Sequence, residues 1–159
     1  MELIIQKCTE LGVKEITPVQ MERCIVKLDE KSANKKIERW QKIAEAAAKQ
    51  SKRDGICKIN NLINIKNICK MVQNYDIVLV PYENEVQLSL KQVLKNFNNL
   101  QKLKIAIVIG PEGGFEEKEI DFLKQNNGKI ITLGKRILRT ETVAITMSSI
   151  IMYEFDNLG

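Results

Sequence analysis

The residues best suited to bind a ligand follow three short apolar runs, each of which has the composition of a buried strand. These stretches read "LVPYE" at residues 79–83, "IGPEGGF" at 109–115 and "LGKRILRTET" at 133–142. Glycine permits positive φ and a close approach of backbone to ligand, and a following helix leaves its first amides unpaired. Each stretch alone is compatible with an ordinary turn or a solvated connection. Together, at strand ends of a parallel sheet, they favour a binding site.

The glycine-rich stretch does not have the pattern of a phosphate-binding loop. It matches neither G-x-G-x-x-G nor G-x-x-x-x-G-K-[ST], and no lysine follows where a P-loop needs one. Glu112 would repel phosphate, but it could accept hydrogen bonds from a ribose or lie near a cation. Glu116 and Glu117 are interpreted differently, as carboxylates that complement the positive end of the next helix dipole. A phosphate-rich cofactor is therefore not expected.

The third stretch is basic and directly precedes an apolar helix. Arg136 and Arg139 are three residues apart, with Ile137 and Leu138 between them, and these apolar residues predict a loop that packs down on the protein. Arg139 could form an ion pair with Glu141, or it could present a two-pronged donor to a phosphate or a base edge. Both interpretations stay open at this level.

Composition excludes several classes of chemistry. The chain of 159 residues contains no histidine, which rules out Ser-His-Asp and Cys-His catalysis and most catalytic zinc sites. Its four cysteines include no CxxC pair and are typical of reduced thiols. The net charge of +5 suits a polyanionic partner without requiring one. The first residues are too charged for a signal peptide or a membrane span, so we expect one soluble cytoplasmic domain.

Strand-like and helix-like segments alternate along the chain. A short helix ends at Gly12, residues 13–20 are extended, a polar loop covers 29–36, and an amphipathic helix covers 37–48. Further strands are predicted at 56–62, 76–80, 104–109 and 129–133, and further helices at 65–73, 89–97 (capped by Ser89), 115–125 and 142–155. Short β-branched runs separated by helices predict an α/β fold whose parallel sheet has helices on both faces.

Several of these stretches together resemble the RsmE family. The resemblance is carried by "KCTELGV" at residues 7–13, "ERW" at 38–40, "AAAKQSKR" at 46–53, "IGPEGGFEEKE" at 109–119 and "LGKRILRTET" at 133–142. Members of this family are S-adenosylmethionine-dependent methyltransferases of the SPOUT class that act on N3 of a uridine in small-subunit ribosomal RNA. Val143 stands where the family usually has alanine, and Glu116 stands where serine is common.

The resemblance implies features that composition and periodicity do not. They are a SPOUT-type parallel sheet with a C-terminal deep trefoil knot, a homodimer, small-subunit ribosomal RNA as partner, S-adenosylmethionine as cofactor, and no metal or membrane. Family members normally carry an N-terminal PUA-like RNA-binding domain, so residues 1–159 are expected to be the catalytic domain without it. The cofactor-binding residues implied are Val80, Pro81, Tyr82, Glu83, Ile109, Gly110, Pro111, Glu112, Gly113, Gly114, Leu133, Gly134, Ile137, Leu138 and Arg139.

The remaining assignments concern the RNA and the reaction. A sulfonium methyl is already activated, so the enzyme must align it and stabilise the uracil anion that forms when N3 loses its proton. Arg139 and Arg23 are the expected catalytic contacts to the target RNA, with Glu141 or solvent as the proton acceptor. Arg23, Arg53 and Arg136 are the expected substrate-binding residues.

Two rival classes remain, a nucleotide-dependent Rossmann enzyme and a non-catalytic RNA-binding module with a SPOUT-like fold. The basic face of the helix over residues 37–50 could likewise contact RNA or be only solvated surface.

Overall fold

Parallel sheets and helices alternate along the chain in the computed structural model, which describes residues 1–97 and 103–157. The predicted α/β class with parallel sheets is confirmed. The helices are α1 (Glu2–Glu10), α2 (Glu30–Gln50), α3 (Ile68–Val72), α4 (Leu90–Lys95), α5 (Glu117–Gln125) and α6 (Thr140–Glu154), with a 3₁₀ turn at Ile65–Asn67. The strands are β1 (Glu15–Ile16), β2 (Val19–Gln20), β3 (Lys58–Ile59), β4 (Ile63–Asn64), β5 (Ile77–Pro81), β6 (Ile105–Ile107) and β7 (Gly128–Ile131).

The chain forms two compact units. The first consists of Met1–Gln20, Val26–Ile63 and Ala144–Gly159, and the second consists of Met21–Ile25 and Asn64–Val143. The short segment Met21–Ile25 therefore belongs with a part of the chain that begins about forty residues later, which matters for the site below. The expectation that residues 1–159 act as one catalytic domain stays a prediction.

Helix α2 corrects one sequence-based prediction. Residues 29–36 were predicted as a polar loop, but the helix begins at Glu30. Asp29 is its N-cap, and the Asp29 carboxylate accepts a hydrogen bond from the Ser32 amide at 2.7 Å. This hydrogen bond lowers the pKa of Asp29 below its ordinary value. Ala33 is buried, so this first turn also packs on the core. The sequence pattern did not indicate a helix here because the residues around Ala33 are charged or polar.

The core of the first unit is built by α1, α2 and β3. Ile5, Trp40, Ala44, Cys57 and Ile59 form one buried cluster. Strands β1 and β3 pair in parallel, with Glu15 opposite Lys58 and Ile16 opposite Ile59. The strand predicted at 56–62 is reduced to the two residues of β3. Strands β2 and β4 form a separate two-stranded sheet. Among the described residues, no helix is long and apolar enough to cross a membrane.

The second unit contains a three-stranded parallel sheet in the order β6-β5-β7. The central strand β5 pairs Leu79 with Ile107 on one side and Pro81 with Ile131 on the other. Val78, Leu79 and Val80 are all buried, which explains why the run is continuously apolar. All three strands were predicted, and because they are parallel their carboxyl ends lie at one edge of the sheet.

One helix of this unit begins where the sequence indicates, and a second begins close to its predicted start. Ser89 caps α4: its side chain accepts from the Gln92 amide at 3.3 Å, and the Gln92 side chain accepts from the Ser89 amide at 2.8 Å. This reciprocal arrangement is a capping box. Helix α5 begins at Glu117, two residues after the predicted start, with Glu116 as its N-cap.

Candidate functional site

The three unusual stretches follow the three strands of one sheet. Residues 82–89 come after β5, residues 108–116 after β6 and residues 132–139 after β7. Hydrogen bonds hold these connections close: the Thr132 amide donates to the Leu88 carbonyl at 2.8 Å, and Thr140 Oγ1, at the start of α6, donates to the Gly110 carbonyl at 3.2 Å. The predicted juxtaposition of the three loops thus has a direct basis in the strand order.

The glycine-rich turn is closed by its own backbone. The Gly114 amide donates to the Pro111 carbonyl at 2.9 Å, and Gly114 has a φ of +72°, which an L side chain rarely adopts. A Cβ at this position would lie 2.9 Å from Oε1 of Glu83. Glycine is therefore required at residue 114 for two reasons, backbone conformation and the approach of Glu83.

Two aromatic rings, those of Phe115 and Tyr82, lie beside the glycine-rich turn. A Cβ at Gly110 would lie 3.0 Å from the ring of Phe115, and Phe115 itself is buried. The rings of Tyr82 and Phe115 meet edge to face, with centroids 6.4 Å apart and an interplanar angle of 73°. Phe115 thus links the loop after β5 to the loop after β6, a role that the sequence pattern did not reveal.

Arg23 contacts the turn from the segment Met21–Ile25. Its Nε donates to Oε1 of Glu116 at 2.8 Å, and its Nη1 donates to the Gly113 carbonyl at 3.3 Å. The hydrogen bond and then the charge of Arg23 lower the pKa of the Glu116 carboxyl. Nearly half of the Arg23 side chain, 47%, stays exposed. Glu116 is thus more than a dipole-complementing carboxylate, because it is the partner of an ion pair.

Glu119 is the residue of this region that sequence reasoning missed. Only 4% of it is exposed, and both carboxylate oxygens accept backbone hydrogen bonds. Oε1 accepts from the Glu22 amide at 3.0 Å, and Oε2 accepts from the Glu116 amide at 2.9 Å. The spacing of Glu116 and Glu119 is that of a capping box, which could have indicated the second bond but not the first.

The basic loop is less packed than its apolar residues predicted. Leu138 is partly buried, but Ile137 is 86% exposed, so the expectation of a loop packed down on the protein is wrong for Ile137. Arg136 and Arg139 are exposed as well. Within the described ranges 1–97 and 103–157, no ion pair joins Arg139 to Glu141. Of the two interpretations of Arg139, the local ion pair is thus not the one adopted.

Arg53 lies in the first unit, beside the end of α1. A Cβ at Gly12, whose φ is +99°, would lie 2.6 Å from Nη1 of Arg53. The same nitrogen donates to the Glu10 carbonyl at 3.4 Å. The guanidinium therefore covers the C-terminal end of α1, where cations are favoured. Its expected role in binding RNA stays a prediction.

The remaining residues predicted to bind the cofactor contribute either apolar side chains or exposed backbone groups. Val80 is fully buried in β5, so that its side chain belongs to the core. Ile109, Leu133 and Leu138 are partly buried, whereas Glu112 and Gly134 are exposed. Gly134 has a φ of +113° with open space where a Cβ would point. Partly buried apolar side chains beside exposed backbone and a few carboxylates suit a small polar ligand with an apolar part.

Comparison with known proteins gives a consistent result. A family model described as an RNA methyltransferase domain matches residues 1–152. The chain is 39% identical, over 160 aligned positions, to ribosomal RNA small subunit methyltransferase E of Bacillus subtilis, covering 99% of this chain and 62% of that protein. It is 40% identical over 144 positions to the protein of the same name from Mesomycoplasma hyopneumoniae, covering 91% and 60%.

A solved structure agrees with these relatives. The ribosomal RNA small subunit methyltransferase E of Neisseria gonorrhoeae, bound to S-adenosyl methionine, superposes with a TM-score of 0.82 at 31% identity. That match covers 96% of this chain and 60% of the other. The chain thus spans about three fifths of the length of the relatives it matches. The predicted resemblance to the RsmE family is confirmed.

Proposed function

The chain belongs to the RNA methyltransferase domain family, and on that premise we propose that it is an S-adenosylmethionine-dependent methyltransferase. Its proposed substrate is N3 of a uridine in small-subunit ribosomal RNA. Relatives with that RNA in their names share 39% and 40% of their aligned residues with this chain. The cytoplasmic localisation of such an enzyme stays a prediction.

One observation carries the proposal. The loops after β5, β6 and β7 share one edge of a parallel sheet, and the loop after β6 contains Gly114, which has a positive φ and lies against Glu83. Such an edge is where open α/β sheets bind ligands. The N. gonorrhoeae relative, which carries S-adenosyl methionine, has the same fold over 96% of this chain.

S-adenosylmethionine would supply a methyl group on a sulfonium, which needs no further activation. The residues proposed to hold it are the backbone of Gly110, Gly113 and Gly114 and the apolar side chains of Ile109 and Leu133. Glu83 and Glu112 offer carboxylate acceptors to hydroxyl or amino groups. The glycine amides and carbonyls can approach a ligand closely because no side chain shields them.

The chain's own side chains would provide charge for the RNA. Arg136 and Arg139 are exposed on the loop beside this edge, and a guanidinium can stabilise a uracil anion or bind phosphate. Glu141, in the first turn of α6, is the proposed proton acceptor, with solvent as the alternative. With Arg136 and Arg139 to stabilise the negative charge on the uracil, the proposed reaction needs no metal ion.

We further propose a deep trefoil knot and a homodimer. Strands β6 and β7 lie on opposite sides of β5, so the connection through α5 crosses β5. Such a crossover is ordinary in parallel sheets, and the knot is proposed from the resemblance to the SPOUT class alone. For the dimer, the small residues of α6 that would allow close helix packing are Ala144, Ser148 and Ser149. The first two are buried within this chain, and Ser149 is partly buried. Exposed Ile150 and Tyr153, three residues apart on α6, are better candidates for an interface.

Calorimetric titration tests the proposed cofactor. We expect saturable binding of S-adenosylmethionine or its demethylated product and no binding of NAD or ATP. Binding of NAD or ATP instead would favour a nucleotide-dependent enzyme. Binding of RNA without any of these small molecules would favour a non-catalytic RNA-binding module.

A further inference from the structure

We propose that Arg23 and Glu119 are positioning residues that hold the glycine-rich turn, residues 110–114, in its ligand-binding conformation. Arg23 acts through the Gly113 carbonyl and Glu116, and Glu119 acts through the Glu22 amide. We call Met21–Ile25 the strap. This inference rests on the proposed function for the identity of the ligand. The effect on the turn itself can be measured without any ligand.

The turn needs an external contact because two glycines are adjacent in it. The peptide unit between Gly113 and Gly114 can rotate when ψ of the first and φ of the second change together. Neither residue has a Cβ to oppose that rotation, so the intrinsic barrier is low. Without a partner, the turn would populate more than one orientation of this peptide, and ligand binding would have to select one of them.

Arg23 and Pro111 fix this peptide from opposite sides. In a trans peptide the carbonyl oxygen and the amide hydrogen point in opposite directions. The Gly113 carbonyl accepts from Nη1 of Arg23 at 3.3 Å, while the Gly114 amide of the same peptide donates to the Pro111 carbonyl at 2.9 Å. A rotated peptide would lose both bonds. The Arg23 hydrogen bond therefore selects the observed orientation.

The strap also packs tightly on Gly113. A Cβ at residue 113 would lie 2.9 Å from Cβ of Arg23 and 3.0 Å from its carbonyl oxygen. The backbone of the strap thus touches the backbone of the turn, and any side chain at residue 113 would push them apart. This close approach explains a glycine at residue 113, whose φ is not positive.

Glu119 anchors the strap to the start of α5. Its two oxygens bind one amide from the strap, at Glu22, and one from the N-cap, at Glu116. Because Glu119 is buried, removal of its carboxylate would leave two amides without these acceptors in a region shielded from water. The turn at residues 110–114 leads directly into this N-cap, so Glu119 fixes the C-terminal flank of the turn relative to the strap.

The proposal is tested with Arg23→Met, which keeps an unbranched apolar stem but removes both hydrogen bonds. The matched control is Arg39→Met, because Arg39 forms an exposed ion pair of the same 2.8 Å length with Glu2 in the first unit. We expect hydrogen exchange of the amides of Gly110 and of residues 112–116 to accelerate several-fold in Arg23→Met and to match the wild type in Arg39→Met. Unchanged exchange in Arg23→Met would overturn the proposal.

Ligand affinity provides the second readout. With S-adenosylhomocysteine as probe, we expect Arg23→Met to bind about fivefold to tenfold more weakly, at an unchanged melting temperature. Arg23→Lys should restore part of the affinity, because one ammonium can reach only one of the two acceptors at a time. Arg23→Met and Glu116→Gln should be non-additive, since both remove the same ion pair.

The outcomes separate this inference from the proposed function. If the wild-type protein binds no S-adenosylhomocysteine, the proposed function fails, and the exchange measurement still decides whether the strap holds the turn. If Arg23→Met weakens RNA binding but leaves exchange and cofactor affinity unchanged, Arg23 contacts RNA as the sequence predicted, and the positioning role is wrong.

Discussion

The carboxylate of Glu83 occupies the space beside Gly114 that a side chain would need, since a Cβ there would lie 2.9 Å from Oε1 of Glu83. Glu83 follows β5 and Gly114 follows β6, so this contact joins two of the three strand-end loops. The φ of +72° at Gly114 adds a conformational reason for glycine. A substitution here tests both the turn and the proposed ligand site.

Gly114→Val should abolish binding of S-adenosylhomocysteine while the fold is retained. Positive φ costs a non-glycine residue about 1–2 kcal/mol, and more for a β-branched one, and Glu83 must also move. We expect the melting temperature to fall by a few degrees, on the order of 2–8 °C. Calorimetry and thermal unfolding measure the two effects.

Gly55→Ala is the matched control, because a Cβ at residue 55 would have no atom within 4 Å. It should change neither affinity nor melting temperature appreciably. Undiminished binding by Gly114→Val would place the cofactor elsewhere.

Arg139→Ala should weaken RNA binding more than Lys42→Ala does. Both residues carry one positive charge and are exposed, but Arg139 lies on the loop after β7 and Lys42 lies on α2. Each phosphate contact on single-stranded RNA adds about 0.7 to the slope of log affinity against log salt. Arg139→Ala should lose more affinity than that single contact explains, because its planar donor can also contact a base.

Fluorescence titrations of a small-subunit RNA fragment across a salt series measure both variants. Equal losses from Arg139→Ala and Lys42→Ala would indicate a diffuse basic surface in place of a defined site.

The proposed homodimer should depend on the exposed apolar residues of α6. Tyr153 is 73% exposed and Ile150 is 40% exposed in the single chain. A stable homodimer interface commonly buries about 2,000 Å² or more, and such an interface persists at micromolar concentration. We expect sedimentation to show a dimer for the wild type and a monomer for Ile150→Glu with Tyr153→Glu.

Ile56→Glu is the control for added charge at an exposed isoleucine, since Ile56 is more than half exposed in the same unit. It should leave the dimer intact. A wild-type monomer would rule the dimer out.

Cys57 should resist alkylation until the protein unfolds. Burial raises the pKa of its thiol from 9.0 to about 11, so the reactive thiolate is scarce at moderately alkaline pH. Since the folded-state pKa is raised, this group favours the folded state below pH 9.0 and loses that contribution as pH rises towards about 11. Partly exposed Cys69 is the internal comparison.

Iodoacetamide labelling followed by peptide mass spectrometry measures both cysteines in one sample. Cys69 should react quickly at about pH 8.5, and Cys57 should react only after denaturant is added. Equal rates in the absence of denaturant would show that the Cys57 environment opens readily.

The strand-end loops could be predicted because local sequence determines them. The apolar run at Ile77–Pro81 and the adjacent glycines at residues 113 and 114 have few alternative structures. The first turns of α2 could not be read in the same way, because one buried residue, Ala33, lies among charged neighbours. Periodicity needs more than one apolar position to indicate a helix face.

The contacts of the strap could not be predicted from the sequence pattern for a different reason. Arg23 and Glu116 are 93 residues apart in sequence, and nothing local in "MERC" indicates which partner its arginine meets. Glu119 has the composition of a solvated helix residue, yet it is buried by the segment that it binds. Tertiary packing decides such cases, and the local sequence pattern around each residue does not reveal it.

The most direct test of the proposed function is nucleoside mass spectrometry of small-subunit ribosomal RNA. The RNA is incubated with this protein and S-adenosylmethionine carrying an isotopically labelled methyl group, and it is then digested to nucleosides. We predict labelled 3-methyluridine that is absent without protein and strongly reduced with Gly114→Val. Labelled methyl on another atom or base, or no label in RNA although the cofactor binds, would contradict methyl transfer to N3 of uridine.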